Sequence, residues 1–202
     1  FSDEIYDKIL YDEAQHTSIA SLADDVFFVT FGGLSKNYRV AGFRSGWLVV
    51  SGNKRLASDY IDGLNILSSM RMCANVPCQS AIQTALGGYQ SINDLVNENG
   101  RLRIQRDVTT DMLNGIDGIS CVKPKGAMCC FAKVDEKKFN IHNDEQMVLD
   151  LLSSEKILLV HGRAFNLTEG TYFRLVFLPH SDVLVPALHR IGNFFRTYKQ
   201  GA

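Results

Sequence analysis

Ser35-Lys36-Asn37-Tyr38-Arg39-Val40-Ala41-Gly42-Phe43-Arg44-Ser45-Gly46-Trp47 places one lysine eight residues before an arginine. The segment is flanked by two continuous apolar or β-branched runs, Val26-Phe27-Phe28-Val29-Thr30 and Trp47-Leu48-Val49-Val50. Such runs predict strands buried on both faces, as in a parallel or mixed sheet. Ligands of α/β sheets collect beyond the carboxyl ends of strands, where turns and side chains converge. A loop there that offers both an amine and a guanidinium suits a ligand with an electrophilic carbon and an anionic group.

Upstream, Asp3-Glu4-Ile5-Tyr6 is followed by the apolar pair Ile9-Leu10. Pyridoxal 5'-phosphate makes all of these demands at once. Its aldehyde forms an imine with a lysine, its phosphate takes a cation, its ring nitrogen a carboxylate, and its phenolate a tyrosine hydroxyl. With Asn75-Val76-Pro77-Cys78-Gln79-Ser80-Ala81 and Tyr172-Phe173-Arg174-Leu175-Val176-Phe177-Leu178-Pro179 in the same order, the whole chain resembles the fold-type I pyridoxal-phosphate aminotransferases, and within them the bacterial glutamate-pyruvate (alanine) aminotransferases. Gly33 supplies the small residue usual three positions before the lysine, whereas Arg39 and Ser45 stand where small or aliphatic residues are common.

The resemblance implies an α/β chain that is the C-terminal part of the PLP-dependent transferase fold. Residues 1–75 would complete the large mixed-sheet domain, 76–118 would form long connecting helices, and 119–202 a small C-terminal α+β domain. It implies roles as well. Lys36 would be the catalytic, imine-forming residue and then the base at the substrate's Cα. A free lysine amine is protonated near neutral pH, so attack on a carbonyl needs an electropositive or desolvated site. Asp3, Tyr6, Ser35 and Arg44 would join Lys36 in holding the cofactor, Asp3 at the ring nitrogen and Arg44 with Ser35 at the phosphate. Arg174, a lone cation inside an apolar strand run, would clamp the substrate α-carboxylate.

The bland readings are a solvated loop lysine for Lys36, a helix cap or loop carboxylate for Asp3, a core ring for Tyr6 and a surface ion pair for Arg44. Arg39 has no role in the resemblance and is expected in a structural ion pair. Glu4, between two site residues, is expected to point to the opposite face. Phe165, in the loop after Gly162, is the one aromatic residue expected to approach the substrate.

The expected reaction is transamination between an amino acid and a 2-oxo acid, with alanine/pyruvate and glutamate/2-oxoglutarate as the implied pairs and a homodimer as the working assembly. The alternatives are a non-catalytic, aminotransferase-like ligand sensor and a PLP-dependent lyase of the same fold. Because Phe1-Ser2 directly precede a motif that the family places at the end of a central strand, about the first half of the enzyme is expected to precede Phe1. The 202 residues alone are then expected to be inactive.

Bulk properties narrow the classes. A net charge of -1, 46% apolar and 21% charged residues describe an ordinary globular chain with no electrostatic footprint for nucleic acid or an anionic membrane. Five cysteines without paired Cys-x-x-Cys spacing and five scattered histidines give no metal-site pattern and fit a reduced, cytoplasmic protein.

Periodicity predicts the remaining elements. Leu56, Tyr60 and Leu64 mark a helix after Gly52. Asn75, as a capping side chain with Pro77 in the first turn, opens one or two long helices over 76–114, with Ile82, Ala85, Leu86 and Tyr89 on one face, Ser91 capping a second segment with Ile92 and Leu95 inward, and Ile104, Val108 and Met112 extending the periodicity. Strands are expected over 119–122, 128–132, 157–160 and 172–176, and helices over 144–153 and 182–198, the last with Leu184, Leu188, Ile191 and Phe195 on one face.

Overall fold

The two apolar runs beside the lysine loop pair with each other, but only the first is buried: Phe28 and Val29 are nearly covered, whereas Leu48 and Val49 of the second, at the edge of the sheet, are exposed. In the computed structural model, which describes residues 1–201, β1 (Ser2–Asp3) lies parallel to β2 (Phe27–Gly33), and β2 lies antiparallel to β3 (Gly46–Gly52). The sheet order is β1-β2-β3, so the sheet is mixed. The turns after β1 bring Ile9 and Tyr11, both almost fully buried, together with Val29 and Leu34 into the core of this part.

Two glycines let the loop leave the sheet tightly. A Cβ on Gly33 would crowd Ile5 Cδ1 and the Ser45 carbonyl at 3.2 Å each, and one on Gly46 would meet the Gly32 carbonyl at 2.8 Å. After β3, a 3-10 turn at Lys54–Ala57 leads into α1 (Ser58–Arg71), whose Tyr60 ring meets Phe1 and Phe27 edge-on.

The expected helical stretch 76–114 is broken into three helices, α2 (Val76–Gly87), α3 (Asn93–Val96) and α4 (Arg101–Asn114). Pro77 sits in the first turn of α2, but Asn75 does not cap it with its side chain. Its Nδ2 instead donates to the Phe43 carbonyl at 3.2 Å. Neither α1 nor α2 has a buried residue, and Ile66, Leu67 and Met70 are each more than half exposed. Contacts divide the chain into two units, Phe1–Asp94 and Leu95 onward, with the boundary inside α3.

In the second unit, β4 (Ile119–Cys121), β5 (Cys129–Val134), β6 (Val160–His161) and β7 (Thr171–Val176) form an antiparallel sheet of order β4-β5-β7-β6. Short α5 (Glu136–Phe139) follows β5, then α6 (Asp144–Glu155), and α7 (Ser181–Thr197) closes the fold. The last helix buries Leu184, Leu188, Ile191 and Phe195, the face its periodicity predicts.

Helix α4 departs from the expectation. Ile104 is 45% exposed, and the buried stripe is Leu102, Gln105, Arg106, Thr109, Thr110 and Leu113. Polar residues occupy a core face because most find partners there. Gln105 Nε2 donates to the carbonyls of Phe177 (2.6 Å) and Pro179, Arg106 to Asp107 and the Pro124 carbonyl, and Thr110 Oγ1 to the Arg106 carbonyl. Apolar periodicity alone does not register such a stripe.

Candidate functional site

The parallel pairing of β1 with β2 sets Asp3 opposite Phe31, so the carboxyl ends of both strands lie on one edge of the sheet. Asp3, Tyr6 in the turn after β1, and Lys36 in the loop after β2 therefore share that edge. Lys36 Nζ lies 5.9 Å from the centroid of the Tyr6 ring, and no described residue accepts a hydrogen bond from it. Asp3 is exposed, with Oδ1 accepting the Ile5 amide at 3.2 Å.

The loop from Leu34 to Ser45 is held closed by its own backbone. The Leu34 amide donates to the Ser45 carbonyl at 3.0 Å, the Val40 amide to the Leu34 carbonyl at 3.3 Å, and the Arg39 amide to the Lys36 carbonyl at 3.2 Å. Arg44 takes a left-handed conformation (φ 51°) at the end of a 3-10 turn, Ala41–Phe43, and its Nη1 donates back to the Ala41 carbonyl at 2.7 Å. The Arg44 side chain is exposed, whereas Ser35 is half-buried in the same loop.

Asn37, almost fully buried, ties this loop to the turn after β1. Its Nδ2 donates to Asp7 Oδ1, and its Oδ1 accepts the Lys8 amide at 3.4 Å. Lys8 Nζ continues the chain of contacts to Gln90 Oε1 at 2.7 Å, and Gln90 in turn donates to carbonyls at the end of α2. Sequence reasoning misses Asn37, because nothing in an isolated Lys-Asn pair marks a buried crosslink.

Arg39 corrects its expectation. Instead of an ion pair, its Nη2 donates to Ser91 Oγ at 2.5 Å, which also engages the hydroxyl expected to cap a helix. Glu4 points away from the candidate site. Its carboxylate accepts from His16 Nε2 (3.0 Å), Ser18 Oγ (3.1 Å) and the Ile19 amide (2.8 Å), anchoring the following segment. Burial pushes the Glu4 carboxyl up, but these bonds, with that of His16 foremost, outweigh it and hold it below its ordinary value.

A small cavity of about 90 Å³ lies against the same sheet, lined by Glu4, Asp7, Thr30, Asn37, Tyr38 and Trp47 among others. None of Asp3, Tyr6, Ser35, Lys36 or Arg44 lines it.

In the second unit, Arg174 sits in β7 opposite Phe131 of β5 and Val160 of β6. Its Nε is buried without a hydrogen-bond partner, and its guanidinium carbon lies 4.6 Å from the centroid of the Phe165 ring. Phe165 in turn packs edge-on against Phe131 at 5.2 Å. Arg174 is half-buried, and none of the ion pairs formed by described residues involves its guanidinium.

Comparisons with known proteins show the family and the fold. The family model described as Aminotransferase class I and II matches residues 1–191. The chain belongs to the aminotransferase class I and II family.

Within that family, glutamate-pyruvate aminotransferase AlaA of Haemophilus influenzae is 58% identical over 200 residues, which is 99% of this chain and 50% of that protein. A crystal structure of an Escherichia coli aminotransferase superposes with a TM-score of 0.96 at 56% identity, covering 98% of this chain and 49% of that one. The alanine aminotransferase of Pyrococcus furiosus superposes with a TM-score of 0.85 at 34% identity, over 96% of this chain and 48% of the other. The expected fold class is therefore the observed one: an α/β aminotransferase fold with two sheets. This chain spans about half the length of the curated relatives it matches.

Proposed function

We propose that the protein to which this chain belongs is a pyridoxal-phosphate-dependent aminotransferase exchanging amino groups between alanine or glutamate and pyruvate or 2-oxoglutarate. The observation that carries this reading is the convergence of Asp3, Tyr6 and the unpartnered Lys36 amine on one sheet edge, at the positions that the family resemblance marks. The substrate pairs rest on similarity to proteins named for glutamate-pyruvate and alanine transamination.

The donor set fits pyridoxal phosphate. Lys36 Nζ is uncommitted, Asp3 engages one carboxylate oxygen locally, and Arg44 commits one N–H to the Ala41 carbonyl, leaving donors for a phosphate. Bound there, the cofactor supplies an electron sink for the bonds at the substrate's Cα.

The chain's own residues do the rest. Lys36 accepts the Cα proton and returns it, Asp3 holds a proton at the ring nitrogen by its charge, and the Tyr6 hydroxyl donates toward the phenolate oxygen. Ser35 and Arg44 bind the phosphate, and Arg174 takes the substrate carboxylate through its free N–H groups.

Exposure of Asp3 and Arg44 supports the expectation that the isolated 202 residues do not transaminate. The bare apolar side chains of α1 and α2 support a homodimeric assembly, and five free cysteines support a reduced cytoplasmic setting. No described helix is long and apolar enough to cross a membrane.

The test is a cofactor titration of the full-length protein and its Lys36→Ala variant. The wild type should develop the visible absorption of lysine-bound cofactor and lose it on adding alanine, with pyruvate appearing once 2-oxoglutarate is present. The variant should show neither. Lysine-bound absorption in Lys36→Ala would refute the assignment, and binding without amino-group exchange would identify a ligand sensor instead.

A further inference from the structure

Helix α6 begins with a side chain that its own helix does not need. Asn143 is the N-cap, its Oδ1 accepting the amides of Glu145 and Gln146 at 2.9 and 3.1 Å. Asp144, next in line, is nevertheless only 3% exposed. Its Oδ2 accepts one bond, from the Arg163 amide at 3.0 Å, and its Oδ1 has no hydrogen-bond partner. That oxygen faces His161 Nδ1 at 3.7 Å, itself buried and unpartnered, and Arg163 Nε at 3.6 Å. Burying a carboxylate costs free energy that one hydrogen bond and two contacts beyond hydrogen-bond distance offset only in part, so the arrangement calls for a reason.

The reason lies in what the Arg163 amide belongs to. His161 to Phe165 is one short segment, a strand end followed by the 3-10 turn Gly162–Phe165. From below, Gly162 is pressed onto β7 so closely that a Cβ there would lie 3.0 Å from Tyr172 Cβ. From the side, Asp144 holds Arg163. The turn is thus fixed at two consecutive residues, and its last residue is Phe165, whose ring lies over Arg174 and against Phe131.

We propose that Asp144 is a positioning residue: its buried carboxylate seats the His161–Phe165 turn so that Phe165 lies over Arg174 and fixes the orientation in which that guanidinium meets a ligand carboxylate. This rests on the reading of Arg174 as the carboxylate clamp. Phe165 engages Arg174 through its π-face and takes none of its N–H donors, so the ring constrains the cation while leaving its hydrogen-bonding capacity for the ligand. A strand arginine lacking such a neighbour would sample several rotamers, and a bidentate contact tolerates little angular error.

The test uses the full-length protein carrying Asp144→Ala, Phe165→Ala or both, with two readouts. The first, independent of catalysis, is the rate at which phenylglyoxal modifies Arg174 in the absence of substrate, followed by peptide mass spectrometry. The second is the separation of KM from kcat for amino acid and 2-oxo acid. Each single variant should speed Arg174 modification severalfold and raise both KM values roughly tenfold, with kcat within about twofold of wild type. The double variant should be no worse than Phe165→Ala, because Asp144 acts through the ring.

Should Asp144→Ala fail to fold, Arg163→Pro removes both Arg163 contacts to Asp144, the amide and the Nε, in the first turn of a 3-10 segment where proline is tolerated, and should reproduce both effects. Wild-type Arg174 reactivity in Asp144→Ala or in Arg163→Pro overturns the proposal, as do additive effects in the double variant. If the wild type does not transaminate, the proposed activity fails while the modification rates still decide the role of Asp144.

Discussion

Replacing Asn37 by alanine should loosen the lysine loop without touching a residue assigned to the cofactor. Asn37 contributes two bonds across the gap between the loop and the turn after β1. The one to the Asp7 carboxylate is charge-assisted, a class that contributes about 1.5–3 kcal/mol net. The one from the Lys8 amide, at 3.4 Å, is near the limit of useful length and adds roughly 0.5 kcal/mol at most. Together they predict a loss of about 2–3 kcal/mol, or roughly 5–10 °C in Tm for a chain of this size. If all of that loss falls on the loop, the cofactor dissociation constant rises by up to about a hundredfold. Differential scanning calorimetry and cofactor titration of the full-length variant measure the two effects. An Asn37→Ala protein with Tm within about 1 °C of wild type and unchanged cofactor affinity would refute the view that this crosslink positions Lys36.

Three further outcomes are expected. Arg174→Leu should raise KM for both carboxylate substrates by about a hundredfold or more while leaving Tm unchanged or higher, because the buried Nε has no partner to lose; a Tm fall of several degrees would reveal an unrecognised structural pairing. Glu4, held below its ordinary value of 4.5, contributes stability that is full above that value and is lost as pH falls through the lower folded-state value. Glu4→Gln should therefore flatten the acid limb of the stability curve in urea titrations below about pH 5, and an unchanged acid limb would count against the assignment. Native alkylation should label exposed Cys73 well before Cys130, whose thiol its neighbour Cys121 and then burial push upward; mass spectrometry showing equal rates would contradict the buried placement.

How far the sequence could be read depended on the kind of signal each element carries. The strands beside the lysine loop were legible as strands from their continuous apolar runs, and the inward face of α7 from its four-residue spacing, but the expected two-faced burial fails for β3, whose Leu48 and Val49 are exposed. The stripe of α4 was not, since Gln105, Arg106 and Thr110 are buried through partners distant in sequence or on the same helix, and composition carries no record of such partners. Asn75 and Ser91 have the chemistry of caps, yet their side chains bond to Phe43 and Arg39, because tertiary neighbours competed successfully with the local helix ends.

The candidate site divides in the same way. The motifs around Asp3 and Lys36, with those over 75–81 and 172–179 in the same order, were enough to suggest the family by resemblance, and the roles proposed for Asp3, Tyr6, Lys36, Arg44 and Arg174 follow from that resemblance. What order could not supply is how those groups are held. Asn37 locks the lysine loop, Glu4 turns away to anchor a neighbouring segment, and Asp144 seats the turn that sets Phe165 over Arg174. These contacts form only once strands pair and helices pack, which no local pattern of residues records, whereas the residue types that suggest the cofactor are written directly in the chain.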